Sequence, residues 1–300
     1  MTKNKNRIST NPGDAILNTL NLIVCTLVGL VCFYPFYYVV INSFSDPKRI
    51  AAMSMFFPAG FSIDTYRQLF LQNDIISAFF VSASRAAVTT ALSVVLCGML
   101  SYLLTQQKMI GRKIVYRYII VTMYLNSGLI PWYLVMKAYG LRNNYILYIL
   151  PFLLSAYYVI LIKTFMEQLP ASMEESAWMD SAGFFTIYFR IIFPLSKPIL
   201  ATIAVFTAVD SWNAWQDNFF LVNDPHLQTL QLILYTYLNK ARSIAQLMKN
   251  NPSGGVLVAT VTERSVRMAI TVITVAPIML VYPFMQRYFT KGIMLGAVKG

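Results

Sequence analysis

The chain reads as an all-α polytopic membrane protein with six transmembrane helices. Of its 300 residues 57% are hydrophobic and only 12% are charged, with a mean hydropathy of +0.57. A soluble domain carries about 25% charged residues. Long apolar runs recur along the chain, each reaching the ~20 residues that a helix needs to cross the hydrocarbon core, so spans and not soluble domains are its units of organisation.

Residues 1–14 form a polar tail carrying Lys3, Lys5 and Arg7. A transmembrane domain follows over 15–289, with predicted spans at 15–41, 76–104, 114–136, 145–166, 198–221 and 266–289. The first run is too long for a secretory leader and ends in an aromatic cluster, which makes it a retained anchor. Lys108, Arg112, Lys113 and Arg117 between spans two and three, and Arg287, Lys291 and Lys299 at the end, share a side with the basic tail. The positive-inside rule places that side, and both termini, in the cytoplasm; residues 290–300 are the C-terminal tail. The opposite loops also hold basic residues, among them Lys48, Arg49 and Arg67, but these are longer loops and Asp46, Asp64 and Asp74 balance the first.

The formal charge of +12 punctuates apolar runs and forms no basic face, which excludes a nucleic-acid partner. Cys25, Cys32 and Cys97 lie inside apolar runs as small hydrophobes, with no disulfide or metal set. In the loop 42–75, Ile63, Tyr66, Leu69 and Phe70 have the spacing of a short interfacial helix, although a plain connector fits as well. In the loop 222–265, residues 227–249 form an amphipathic surface helix before the turn-rich run 250–255. That loop is the better external docking surface.

Between spans four and five, residues 167–197 are too interrupted to cross a membrane, and they hold Glu167, Glu174, Glu175 and Asp180 of the chain's 12 acids. Pro170 stops the preceding helix, Ser172 stands three before Glu175 in a capping-box arrangement, and Gly183 is a C-terminal stop. A short independent helix over 173–182 follows. At 100° per residue Ser176, Ala177, Asp180 and Ser181 share one slim side, and Glu174, Glu175, Trp178 and Met179 the other. Pro194 ends the apolar stretch after it, and Pro198 suits the first turn of span five.

The run Glu175-Ser176-Ala177, Asp180-Ser181-Ala182, then Ile191-Ile192-Phe193-Pro194 resembles the EAA loop of binding-protein-dependent ABC importer permeases. That pattern reads E-A-A, two residues, D-G-A, then a spaced I-x-L-P. Here Ser176 stands for an Ala, Ser181 for the Gly and Phe193 for the Leu. The runs 123–131 and 265–269, Trp212-Asn213 with Trp215, and the terminal 296–300 are similar to the sugar-transporting branch, most of all its maltose-type second permease subunit and the complex-polysaccharide permeases. Nearly the whole chain is covered.

This resemblance implies a coupling helix that docks on a cytoplasmic ATPase dimer through Glu174, Glu175, Ser176, Ala177, Asp180, Ser181, Ala182, Gly183 and Pro194. It also implies a second permease subunit completing the pore, an extracytoplasmic binding lipoprotein that delivers a carbohydrate, and a tail contact to the ATPase through Gly296, Lys299 and Gly300. ATP and Mg would bind to the partner, since this chain has no G-x-x-x-x-G-K-[ST] loop and binds no cofactor of its own.

Polar residues within spans mark a path or a partner. Asp210 lies midway along span five, and Arg85 lies early in span two, near enough to the outer interface to snorkel. Asn126, Ser127 and Gly128 before Pro131 bend span three, as in helices lining a polar path. Asn126, Gly128, Asp210 and Asn213 are therefore the path candidates. Trp212 and Trp215 read as interfacial anchors more readily than as sugar platforms, and His226 as a lone surface residue.

A rival reading is an ion-driven carrier working without an ATPase, which needs several membrane acids and often an internal repeat. Only Asp210 is deep. An embedded enzyme is a further alternative, but no nucleophile triad, metal cluster or paired carboxylate appears, so no catalytic residue is assigned.

Overall fold

The apolar runs become helices throughout the computed structural model, which describes residues 12–46, 56–71, 73–125, 127–239 and 256–292. Among the described residues no strand forms beyond an isolated bridge between Ser45 and Phe61. The helices are α1 (Pro12–Ser43), α2 (Asp64–Leu71), α3 (Asn73–Thr105), α4 (Arg112–Tyr124), α5 (Leu129–Ala138), α6 (Ala156–Met166) and α7 (Ala171–Met179). Then come α8 (Phe184–Leu195), α9 (Lys197–Asn213), α10 (Gln216–Leu221), α11 (230–239) and α12 (Val256–Gly292).

Among the described residues three helices are long and apolar enough to cross a membrane: Ile16–Ser43, Ile75–Thr105 and Arg264–Val281. Two bent pairs, Tyr145–Phe152 with α6 at 45° and α8 with α9 at 81°, meet the same criterion when each pair is taken as one span. The predicted continuous span 114–136 is broken instead. α4 ends at Tyr124 and α5 begins at Leu129, because Gly128 adopts φ 78° and ψ 178°, a conformation open to glycine and to few others. The predicted span 198–221 breaks at Ala214, whose extended backbone ends α9.

By internal contacts the chain divides into two units, 1–67 with 244–272 and 68–243 with 273–300. In the first, the end of α1 is closed by its own loop. Tyr66 donates to Ser43 Oγ at 2.7 Å, the Ala59 amide donates to Ser45 Oγ at 3.1 Å, and the Phe44 ring stacks on Tyr66 at 5.0 Å. The predicted short helix is present as α2, its Asp64 amide donating to Ser62 Oγ at 3.1 Å.

The second unit is built on α3, which packs along α9 and α6. Thr89, Ser93, Cys97 and Ser101 recur every four residues on its buried side, a step of ~6 Å along the axis. Their donors reach carbonyls of the bent stretch opposite: Thr89 to Tyr148 O at 3.1 Å, Cys97 to Leu153 O at 3.5 Å and Ser101 to Val159 O at 2.9 Å. A helix broken in an apolar medium frees backbone oxygens that no water can satisfy. Here the neighbouring helix satisfies them, and the small side chains also let the backbones approach.

Candidate functional site

α7 begins at Ala171, directly after Pro170, and no side chain caps it. The predicted capping box therefore does not form, and Ser172 lies within the first turn. Proline's fixed φ of −59° and extended ψ of 124° at Pro170 start the helix two residues earlier than predicted. Glu174 turns inward, accepting from Tyr102 Oη and Gln106 Nε2, both at 2.7 Å, and so ties α7 to the end of α3.

The predicted slim face is corrected too. Ala177 is buried in the chain's own core with Tyr102, Met166 and Ile187. Glu175, Ser176, Trp178, Met179, Asp180 and Ser181 are exposed, Met179 to 86%.

α7 ends in a Schellman motif, with the Ala182 amide donating to Ala177 O and the Ser181 amide to Trp178 O, both at 3.0 Å. Ser181 is the left-handed residue, at φ 58°, so the stop is Ser181 and not Gly183, whose φ is −71°. The family pattern has glycine at that position. The left-handed conformation supplies the reason, since it strains an L-residue by about 1–2 kcal/mol. Ser181→Gly should therefore tighten this turn by about 0.5–1 kcal/mol, the strain relief less glycine's greater unfolded freedom. Amide exchange across 171–182 should slow roughly two- to fivefold; unchanged exchange would remove strain at Ser181.

α8 contains one π-helical turn, Tyr188–Ile192, and places Pro194 just before Ser196, where the chain turns 81° into α9. Tyr188 is buried and stacked on Tyr102 at 5.4 Å. Its hydroxyl sits where a Cβ on Gly98 would be, only 2.5 Å away, so this approach needs glycine on α3.

A second feature is a cavity of about 740 Å³ lined by Ser127, Gly128, Trp132, Phe152, Asp210, Asn213, Trp215, Gln216 and Asp217, among others. It gathers three of the four path candidates, Gly128, Asp210 and Asn213. Asn126 lies outside the described residues, as do Gly296, Lys299 and Gly300 of the tail. Asp210 stands in the last turn of α9 and not midway along a span, and Tyr158 Oη donates to its Oδ2 at 2.5 Å. Trp215 lines the cavity and stacks on Tyr235 at 3.9 Å. Trp212 is no anchor: it is buried, its indole donating to Thr274 O at 3.0 Å.

Arg85 does not snorkel. It is fully buried and paired with Asp217 at 2.5 Å, with a second contact at 3.3 Å, and it also donates to Ala214 O at 3.2 Å, the carbonyl freed where α9 ends. Its guanidinium lies over the rings of Tyr148 and Phe152, 4.7 and 5.3 Å from their centroids. Asn218, next in sequence, is buried as well. It donates to Tyr148 Oη at 2.6 Å and accepts from the Thr229 amide at 3.0 Å. Sequence reasoning missed Asp217; the signal was an intramembrane arginine in need of a counter-charge.

A family model described as "Binding-protein-dependent transport system inner membrane component" matches residues 94–295. The chain is 34% identical over 275 residues to the Bacillus subtilis polygalacturonan/rhamnogalacturonan transport system permease protein YtcP, with 91% of this chain and 95% of that one covered. It is 33% identical over 288 residues to Protein LplC of the same organism, with 95% of each covered. Among solved structures it matches a chain from a bacterial ABC transporter involved in the import of the acidic polysaccharide alginate. The TM-score is 0.82 and the identity 26%, over 93% of this chain and 99% of that one.

Proposed function

The chain belongs to the family of binding-protein-dependent transport system inner membrane components, and from that membership we propose that it is the transmembrane permease subunit of an ATP-driven carbohydrate importer. A second permease completes the pore, a cytoplasmic ATPase dimer binds ATP and Mg, and an extracytoplasmic binding protein delivers the sugar. The transmembrane domain has six spans, the third being the broken pair α4 and α5. Both termini, the 290–300 tail and the coupling segment 167–197 face the cytoplasm.

The observation that carries this reading is the way α7 is held. Glu174 clamps it to the end of α3, Ala177 sets it in the core, and α8 joins it to α9, while its other face is exposed. A force applied by a nucleotide-driven partner at Glu175 and Met179 would reach two spans that line or adjoin the cavity. The coupling is mechanical: ATP on one side and loaded binding protein on the other bias a two-state equilibrium between inward- and outward-facing pores.

The test is reconstitution of this chain with its second permease, ATPase and binding protein in vesicles. ATP hydrolysis should rise severalfold when the binding protein is loaded with saccharide, and the chain alone should transport nothing. Uptake by the chain alone under an ion gradient would replace this reading with an ion-driven carrier.

A further inference from the structure

We infer that the wall this chain presents to the translocation path selects uncharged saccharides against uronates, with Asp210 as the discriminating residue. The inference rests on the carbohydrate-permease reading above and concerns the charge class of its substrate. Among the described residues lining the cavity none is Lys, Arg or His, and the ionisable ones are Asp210 and Asp217. Asp217 contributes no field of its own, because it is buried against the guanidinium of Arg85 with both oxygens engaged. Asp210 is exposed, and Tyr158 donates to only one of its oxygens. One uncompensated acceptor therefore faces the cavity.

The remaining lining suits sugar hydroxyls. Asn213 and Gln216 each offer a donor and an acceptor, Asp210 Oδ1 accepts, and Trp132 and Trp215 give flat apolar faces for a pyranose ring. A carboxylate on the sugar would bring a like charge beside Asp210 with no cation among the described lining residues to meet it. At a separation of about 6 Å in a partly dry site, that repulsion weakens occupancy roughly tenfold or more.

The test uses the permease pair in nanodiscs without binding protein, so that only the membrane path selects. A galacturonate oligomer and its fully methyl-esterified counterpart share a skeleton and differ in charge, and ligand-observed NMR reads their weak binding. The ester should bind at least tenfold better, Asp210→Asn should shrink that ratio to within about threefold, and Asn213→Asp should widen it. Equal binding by the wild type, or a ratio unmoved in Asp210→Asn, overturns the inference while saccharide-stimulated ATP hydrolysis still stands. Binding of neither oligomer removes the saccharide assignment of the cavity and the inference with it.

Discussion

Asp217→Leu is expected to lower the stability of the folded subunit by about 3–5 kcal/mol, because it leaves the Arg85 guanidinium buried without its counter-charge. Arg85 is 0% exposed, and the Tyr148 and Phe152 rings on it supply partial compensation only. Asp217 also accepts from the Asn218 amide at 2.9 Å, and Asn218 and Tyr148 in turn hold Thr229 and Leu227. Loss of the carboxylate should thus loosen the cavity wall along with the pair. Arg85→Met alone should behave similarly, whereas Arg85→Met with Asp217→Leu should recover most of the loss, since two apolar groups of like size restore packing without an orphan charge. Thermal unfolding of all four proteins in detergent closes the cycle. A single Asp217→Leu variant within about 1 kcal/mol of wild type would show that the guanidinium reaches water.

Met179→Asp should reduce retention of the ATPase during purification at least tenfold while leaving the subunit folded, because a buried hot spot is worth about 2 kcal/mol or more. Met179 is 86% exposed in the isolated chain and makes no contribution to its core. Glu175→Lys should act in the same direction through charge. Ala177→Asp gives a different failure, because Ala177 is buried and a carboxylate there would dislodge α7 from the chain itself. Limited proteolysis distinguishes the two: cleavage within 167–183 should appear with Ala177→Asp and not with Met179→Asp. Full ATPase retention by Met179→Asp would remove α7 as the docking element.

Hydropathy located the helices because lipid leaves a chain few alternatives to them, whereas Ser127, Gly128 and Pro131 suggested only a bend in one continuous span where the chain breaks before α5. The direction of individual side chains was much less legible. Glu174 and Glu175 are neighbours of one chemistry in one turn, yet the first is a tether and the second a free surface group. That difference comes from Tyr102 and Gln106, some seventy positions earlier. Arg85 and Asp217 pair across 132 positions, a register that no local spacing discloses. Ser181 illustrates the converse: its departure from the family's glycine was plain in the sequence, while the left-handed backbone that explains the glycine was not.

The row of small donors on α3 bears on how the protein is assembled in the bilayer. Ser101 Oγ lies 2.6 Å from Cys97 O on its own helix and 2.9 Å from Val159 O on α6, and a hydroxyl has one proton to share between them. Before α6 arrives, that proton is satisfied within α3 by back-bonding one turn earlier, so the second span can leave the insertion machinery and sit in lipid without an orphan donor. When α6 follows, the same hydroxyl is already aimed at the incoming carbonyl. The chronology of insertion is thus compatible with the final hydrogen bonds at each stage, and α3 can act as a template for α6.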